Sequence, residues 1–484
     1  MKLLRTIVML SAVTLAMIPG TSDATTTSLT WSAAKTVTLP SGGTGIPQGY
    51  LPALSCPSAR NCTAAGAFSD AAGNTQGLVL DEVNGVWRPS RMLRAPADAA
   101  KNPNVTVNAL SCASAGNCAV VGNYQDKVGD SRSFVADEVR RTWQPARDVV
   151  LASDARTTGQ NSAVHAVSCS SDGNCSAVGT YLDSTSPLGH VLGFSLNEVR
   201  GVWQRARPIT LPANANLNAF VSLVQLVCTS NANCVAVGSY IDTNNVTRGL
   251  VVQEVNGVWR PGRSVTLPGD ANAFPSASLR EIACASTNNC TAIGTYVNAA
   301  GSLVGLSVTE ADGVWQRAVE MVMPYGAADN PRVFFYGFDG ISCPSVGNCS
   351  AGGQYLDSAG FYQGFFIDEV AATWRVATQL ALPSGAQSAG KNGGVVAISC
   401  RRAGACHAGA AYLDGAGNYQ ALFVNEEGGV WRTGTRVVLP GGATTVGVDG
   451  GVYGLVCSSV SACTATGSYQ SSATNYQGFT VVTR

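Results

Sequence analysis

The sequence is poor in charge and in histidine. Charged residues make up 12% of its 484 residues, with 30 basic and 30 acidic side chains, and there are only three histidines, His165, His190 and His407. Because the charge is sparse and balanced, the sequence gives no sign of a basic patch that would bind nucleic acid or an anionic membrane surface. We therefore expect no nucleic-acid partner.

Long apolar runs are missing outside the N-terminus. The first residues, "MKLLRTIVMLSAVTLAMIPGTSDA", combine Lys2 and Arg5 with an apolar run from Thr6 to Ile18, followed by Ser22 and Ala24 at cleavage spacing. This pattern predicts a secretory signal peptide over residues 1–24, the alternative being a retained anchor. No later segment reaches the roughly 20 apolar residues of a membrane helix. We expect a secreted or cell-surface monomer with no membrane span once the signal is removed.

Familiar catalytic motifs are also absent. The chain contains no G-x-S-x-G, H-E-x-x-H, phosphate loop or dinucleotide fingerprint. We expect no cofactor, although a site gathered from distant segments would leave no such motif.

The sixteen cysteines, by contrast, form eight pairs, each six positions apart. Export allows disulfides to persist, so we predict eight local disulfides, each closing a five-residue loop. A metal site would need further ligands nearby, and a redox pair would not be repeated eight times, so we expect no metal. The pairs are Cys56/Cys62, Cys112/Cys118, Cys169/Cys175, Cys228/Cys234, Cys284/Cys290, Cys343/Cys349, Cys400/Cys406 and Cys457/Cys463.

These pairs mark repeats of 56 to 59 residues. Each repeat contains four short segments rich in Val, Ile, Tyr, Phe and Trp and bounded by Gly, Asn, Asp and Pro, which is typical of β-strands. The third and fourth join at two-residue turns such as Asn84-Gly85, Asn256-Gly257 and Asp312-Gly313, which favour the tight hairpin type with positive φ. Arg140-Arg141 and Ala371-Ala372 fill the same place without glycine, so those turns should be strained or built differently. The hairpin register predicts that Glu82 faces Trp87 and Asp81 faces Arg88.

Eight units of four antiparallel strands predict an all-β, eight-bladed β-propeller over residues 25–484. The last unit ends at "GFTVVTR" without a fourth strand, whereas "SLTWSAAKTVTLP", containing Trp31, supplies one near the N-terminus. Combining the two would close the ring and leave no exposed sheet edge. An open solenoid is the alternative.

Several recurring side chains are predicted to be structural. A glutamate lies five residues before a tryptophan in seven units, whereas a glycosidase needs two specific carboxylates; Thr26 takes this place in the composite blade. We expect these glutamates to accept backbone or tryptophan N–H hydrogen bonds and the tryptophans to pack between blades. Asp70, Asp126, Asp357 and Asp414 precede a glycine by three positions, as in a type I turn, with calcium binding as the alternative. The glutamates are Glu82, Glu138, Glu198, Glu254, Glu310, Glu369 and Glu426.

Residues with a unique task should break the repeat, and the connections that follow each fourth strand vary most. One of them, "MPYGAADNPRVFFYGFDG" (residues 323–340), concentrates aromatic side chains and a charged pair. It predicts a platform for a sugar or a peptide, or else the start of an inner strand that fills a wider gap between blades. His165 is a further candidate, pointing into the central channel. The candidate ligand-binding residues are Tyr325, Arg332, Phe334, Phe335, Tyr336, Phe338, Asp339 and His165.

The units "SCPSARNCTAAGAF" and "GLVLDEVNGVW" resemble the repeats of secreted bacterial β-propeller proteins, loosely similar to the sialidase-like and kelch-like superfamilies. The resemblance implies the fold and says little about activity. The sialidase motif S-x-D-x-G-x-x-W is not matched, because the Asp-Gly turns lie far from the tryptophans.

Two functions fit the sequence. The first is a non-catalytic module that recognises an extracellular glycan or protein through its variable face. The second is an extracellular hydrolase or lyase acting on a polysaccharide, with its active site on that face or in the channel.

Overall fold

The computed structural model describes residues 30–46, 51–185, 189–216, 220–335, 340–387, 393–441, 443, 450–472 and 475–483. The predicted signal peptide and Thr26 lie outside these ranges. The described residues contain no helix long and apolar enough to cross a bilayer.

The chain folds into eight antiparallel sheets, which are the blades of an eight-bladed β-propeller. We number the blades 1 to 8 by their cysteine pairs in chain order. The first strands are Ala53–Ser58, Thr106–Ser114, Ser162–Ser171, Val221–Ser230, Ser278–Ser286, Ile341–Ser345, Gly394–Arg402 and Gly451–Ser459. The second strands are Asn61–Asp70, Asn117–Gln125, Asn174–Leu182, Asn233–Ile241, Asn289–Val297, Asn348–Leu356, Ala405–Leu413 and Ala462–Ser472. The third strands are Thr75–Val83, Ser131–Val139, Val191–Val199, Thr247–Val255, Leu303–Ala311, Tyr362–Val370, Tyr419–Glu427 and Asn475–Val482.

The fourth strand of blades 1 to 7 is interrupted after its tryptophan, and both pieces pair with the third strand. Blade 1 has an additional short strand, Gly43–Gly45, beside its second strand. The two pieces are Val86–Trp87 and Arg91–Leu93, Thr142–Trp143 and Arg147–Asp148, Val202–Trp203 and Arg207–Pro208, Val258–Trp259 and Arg263–Ser264, Val314–Trp315 and Val319–Met321, Thr373–Trp374 and Thr378–Gln379, and Val430–Trp431 and Thr435–Arg436.

Blade 8 is completed by the N-terminal part of the described chain, as predicted. Lys35–Thr36 pairs with Asn475–Val482, placing Lys35 opposite Thr480, and Trp31 forms a bridge to Thr483. The first strands of successive blades contact one another around the whole ring, including that of blade 8 with that of blade 1. These strands therefore line a central channel.

The hydrophobic core lies between the blades. Each cluster joins buried residues of neighbouring blades, as Val121 of blade 2 joins Phe194 of blade 3. The tryptophans are half-buried at these interfaces, and the indole of Trp431 stacks on Phe366 of the preceding blade with 3.8 Å between ring centroids. Trp31 stacks in the same way on Phe423, at 3.9 Å. The predicted packing of tryptophan between blades is confirmed at these positions.

All eight disulfides have the predicted pairing, and the described residues contain no free cysteine. The predicted five-residue loop between the cysteines is not formed, however. Both strands continue past the cysteines, and Cys112 lies directly opposite Cys118 in the ladder, with 3.9 Å between their Cα atoms. Each disulfide is thus a cross-strand bond beside a two-residue turn, because a hairpin of this register leaves no five-residue loop. The bonds are Cys56–Cys62, Cys112–Cys118, Cys169–Cys175, Cys228–Cys234, Cys284–Cys290, Cys343–Cys349, Cys400–Cys406 and Cys457–Cys463.

The second cysteine of every pair is buried, which the prediction of a loop bracketed by cysteines did not anticipate. Cys234 is only 3% exposed and belongs to one core cluster with Ala166 and Val178 of the preceding blade. The reason is that the second strand lies deep in the blade, so its side chains reach the interface with a neighbouring blade. The disulfides are therefore part of the core and not loop closures at the surface. The buried second cysteines are Cys62, Cys118, Cys175, Cys234, Cys290, Cys349, Cys406 and Cys463.

The turns between third and fourth strands have the predicted conformation. Asn84 and Gly85 have φ values of 53° and 83°. Arg140 and Arg141 adopt the same left-handed region at 49° and 65°, so this turn is strained, as the missing glycine indicated. Glu82 faces Trp87, and the Arg88 N–H donates to the Asp81 carbonyl at 2.9 Å.

The turns divide between two faces of the disc. The first-to-second and third-to-fourth turns meet on one, which we call the hairpin face; there the Gly85 N–H donates to the Arg60 carbonyl at 2.8 Å. The second-to-third turns meet the connections between blades on the other, which we call the connection face; there Ala99 bridges Asp126. Variable segments are therefore gathered on one side of the molecule.

Candidate functional site

The blade connections vary less than the sequence indicated. Each begins with a repeated turn, in which the N–H of Ala215 donates to the carbonyl of Pro212 at 2.9 Å, and the same alanine then bridges Asp242 of the second-to-third turn. Only the part that follows this turn differs freely between blades. The sequence positions that can hold a specific site are accordingly fewer, and they lie just before each first strand.

A β-bulge interrupts the first strand immediately afterwards. In blade 3 the ladder skips His165, since Val164 pairs with Gly179 and Ala166 pairs with Val178. The bulged residue lies four positions before the first cysteine and differs in every blade where the bulge is described, apart from valine in blades 4 and 7. Bulges redirect a side chain out of the regular alternation. The bulged residues are Asn108, His165, Val224, Arg280, Val396 and Tyr453.

The glycine of the "AVGTY" segment faces this bulge. A Cβ on Gly179 would lie 2.2 Å from the Ala163 carbonyl oxygen, and one on Gly238 would lie 1.9 Å from that of Ser222. The close approach of the first strand therefore requires a residue without a Cβ at these positions. The repeated glycine supports a bulge whose own residue varies.

Four of the bulged residues line one cavity in the central channel, with a volume of about 470 Å³. Its wall comes from the first strands of blades 2 to 5, the blade 1 segment around Pro52, and Phe335 of blade 6. His165 is the fourth residue of its strand, so at about 3.3 Å per residue it lies roughly 10 Å below the connection face. His165 therefore lies in the half of the channel nearer the connection face.

His165 and Asn108 form the side of this cavity on blades 2 and 3. The Nε2 atom of His165 lies 2.9 Å from Oγ1 of Thr180, and burial lowers the pKa of the imidazole. Asn108 donates from Nδ2 to the carbonyl of Val164 in the next blade at 2.8 Å. Both side chains are thus fixed in the wall, and His165 is neutral at pH 7.

Blades 4 and 5 supply the remaining polar groups. Arg280 is exposed, whereas its neighbour Glu281 is only 3% exposed and lies near Nε2 of Gln225, at 3.5 Å. The other six blades have Ala or Gly at the position of Gln225 and Glu281, and all six of these residues are described. Within the described ranges no hydrogen bond or ion pair engages the Arg280 guanidinium. A molecule entering the cavity therefore meets a cation, while the anion is shielded.

The predicted aromatic connection does not form a single platform over its described residues. Tyr325 is fully exposed in the repeated turn, whereas Phe335 is 8% exposed and packs edge-on against Phe365 in the blade 6 core. Phe334 is half-buried and packs against Tyr362. Arg332 is exposed before the strand, with a φ of 41°. The candidates Tyr336, Phe338 and Asp339 lie outside the described residues.

Exposed aromatic side chains nevertheless share one face. All five of them among the described residues lie on the connection face, over four consecutive blades. Three are on the connections into blades 4, 5 and 6, and two flank the second-to-third turns of blades 6 and 7. They are Phe220, Phe274, Tyr325, Phe361 and Tyr419. Sequence reasoning found only Tyr325, because the others are single residues in unlike segments.

The Asp-x-x-Gly turns use their carboxylates internally. Oδ1 of Asp70 accepts the N–H groups of Ala72 and Asn74, both at 2.9 Å, and Asn74 and Gln76 donate to Oδ2. The Asn74 side chain foremost, then its backbone N–H, lowers the pKa of Asp70. The hydrogen bonds within the turn therefore account for the aspartate at this position.

The repeated glutamates are buried at the blade interfaces, but the tryptophan N–H groups do not reach them as expected. Trp203 donates from Nε1 to Asp137 of the preceding blade at 2.9 Å, and Trp259 donates to Asn197 at 3.1 Å. The acceptor is thus the residue before the glutamate, one blade back. The repeated glutamate also contacts this residue of the preceding blade, and Asn197 donates a hydrogen bond to Glu254.

No family model matches the chain, and no curated protein matches it. Among solved structures, the chain is similar to a Dyadobacter fermentans protein of unknown function (11% identity, TM-score 0.37, 80% of this chain and 97% of that chain). A polysaccharide lyase, the PL25 ulvan lyase, shares 10% identity (TM-score 0.43, 79% and 94%). The Trypanosoma rangeli sialidase shares 9% (TM-score 0.33, 92% and 59%). These similarities are of fold alone.

Proposed function

We propose that this protein is a secreted, non-catalytic recognition module that binds an extracellular glycan on its connection face. The observation that carries the proposal is the placement of the five exposed aromatic side chains over blades 4 to 7 of that face. Aromatic rings offer flat apolar surface to the C–H faces of sugars at small entropic cost, since their side chains have only two rotatable bonds.

The channel cavity supplies the polar part of the proposed site. Asn108, Gln225 and Arg280 bring hydrogen-bonding groups to a concave space of about 470 Å³, which suits one or two sugar units. A glycan is preferred to a protein partner because the rings stand on separate segments, whereas a protein interface has a continuous core of packed anchors.

The carboxylates support binding rather than hydrolysis. A glycosidase places two carboxyl groups on either side of the scissile bond. Among the described residues that line the cavity, Glu281 is the one carboxylate, and it is buried. The eight disulfides support an oxidising, extracellular location.

Binding of the secreted, purified protein to arrays of bacterial-envelope and plant polysaccharides tests the proposal. The double variant F274A/Y325A should bind any glycan hit at least tenfold more weakly, while V258A/V314A, which removes exposed apolar groups from the hairpin face, should bind as the wild type does. Equal binding by both variants would contradict the proposed face. Release of shortened oligosaccharides from a bound polymer would instead establish the hydrolase or lyase function.

A further inference from the structure

We propose that the channel cavity is a subsite for an anionic group, a carboxylate or a sulfate, carried by the glycan and read by Arg280. The inference rests on the proposed function, because it specifies the chemistry of the ligand at that same site. It starts from the one bulged residue of the described ring that carries a full charge at neutral pH.

The bulge fixes the backbone from which the Arg280 side chain projects. The ladder skips Arg280 between Leu279, which pairs with Gly294, and Glu281, which pairs with Ile293. A Cβ on Gly294 would lie 1.9 Å from the Ser278 carbonyl oxygen, so the bulge is held in place from the opposite strand. Arg280 therefore projects from a backbone position that the neighbouring strand holds in place.

The charges around Arg280 leave it available. Arg91 and Arg147 on the hairpin side bind Asp81 and Asp137, whereas no described residue pairs with Arg280. Glu281 is 3% exposed and lies beside Gln225, so it offers a ligand almost no surface.

The other lining groups suit the same ligand. His165 is uncharged at neutral pH and is held by Thr180. It therefore adds no second positive charge beside Arg280. Pro52, Val224 and Phe335 complete an apolar wall. A single guanidinium in a partly apolar cavity forms stronger ion pairs and hydrogen bonds than one in open water.

Two measurements on the secreted protein test the subsite. In the first, isothermal titration compares a uronic-acid oligosaccharide, its carboxyl-reduced form and a sulfated neutral form, with wild type, R280Q and R260Q. Arg260 is exposed directly after Trp259, between the two pieces of the fourth strand of blade 4, and controls for net charge. Because R280Q replaces the cation that pairs with the anion by a neutral amide, it should lose roughly tenfold or more in affinity for the anionic forms only. The preferred anionic form identifies the group.

The second measurement needs no oligosaccharide. Glucuronate and sulfate are titrated while the imidazole NMR signals of the three histidines are followed. Saturable shifts at His165, absent from His190 and His407 and lost in R280Q, would support the subsite. Absence of shifts, or equal shifts in R280Q, would overturn it. Tight binding of neutral glycans without preference for the anionic forms would overturn the subsite while leaving the proposed function standing, whereas His165 shifts without any glycan binding would do the reverse.

Discussion

The backbone N–H of Cys112 donates a hydrogen bond to Oγ of Ser55 in the preceding blade, at 3.0 Å. The same bond joins Cys169 to Ser111 and Cys228 to Ser168, each at 2.9 Å. It recurs between Cys400 and Ser342 and between Cys457 and Ser399. The serine of each "SC" pair thus ties its blade to the next one beside the channel. Val227, Ala283 and Val456 replace the serine at the other three interfaces.

Removing one of these serines should loosen a single blade interface. We expect S111A to lower the free energy of unfolding by about 1 kcal/mol, because the half-buried N–H of Cys169 loses its acceptor. Thermal unfolding followed by circular dichroism measures the change. S153A, at an exposed turn position, is the matched control and should have no effect. An equal loss in both variants would show that the interblade bond contributes nothing measurable.

The Arg140-Arg141 turn offers a stabilising substitution. Both residues adopt the left-handed conformation, which costs a non-glycine residue about 1 kcal/mol or more. Replacing them with Asn-Gly, the pair used at Asn256-Gly257, should raise the melting temperature by a few degrees. The reciprocal change, N256R/G257R, should lower it. If the two exchanges shift stability in the same direction, the conformational explanation is wrong.

The sequence predicted the scaffold well because every scaffold element is repeated. Short local patterns that recur around the ring predict the strand number, the turn type, the disulfide pairing and the ring closure. Each repeat therefore supports the prediction made from the others. The hairpin at Asn84-Gly85 and the pairing of Lys35 with Thr480 are direct results of such patterns. The burial of cysteines such as Cys62 and Cys290 was missed because it depends on the packing of one blade on the next.

The candidate site was predicted poorly for the complementary reason. Arg280 and Asn108 occupy a shared structural position, but the sequence does not show that it is bulged, because the bulge depends on a carbonyl packed against the glycine of another strand. The five exposed aromatic residues share one face only when the blades are assembled in the ring. A signal did exist: the fourth residue before each first cysteine varies strongly from one repeat to the next.

The disulfides should be complete in the purified protein. Titration of thiols in denaturant should find none before reduction and sixteen after it, since all eight pairs are bonded. Each bond closes a short ring, for which the chain-entropy model gives about 2 kcal/mol. Reduction should therefore lower the melting temperature markedly. Substantial thiol content before reduction would contradict the cross-strand pairing.

The last prediction concerns the buried glutamates. Burial foremost, together with the Asp81 carboxylate of the preceding blade, raises the pKa of Glu138 to about 7. Glu198 and Glu426 face Asp137 and Asp368 and behave alike. Glu254 accepts hydrogen bonds from Asn197 and Ser176 of the preceding blade, that of Ser176 at 2.8 Å.

A carboxyl group whose pKa is higher in the folded state stabilises the fold in acid. Its contribution is complete below the unfolded pKa of about 4.5 and disappears as the pH rises through the folded value near 7. E138Q replaces the protonated form permanently, so it should raise the melting temperature at pH 8 and change it little at pH 5. E254Q exchanges an acceptor that its neighbours require and should lower the melting temperature at both pH values. Melting curves of the two variants from pH 5 to pH 8 provide the measurement, and a larger benefit of E138Q at pH 5 than at pH 8 would reverse the sign and refute the assignment.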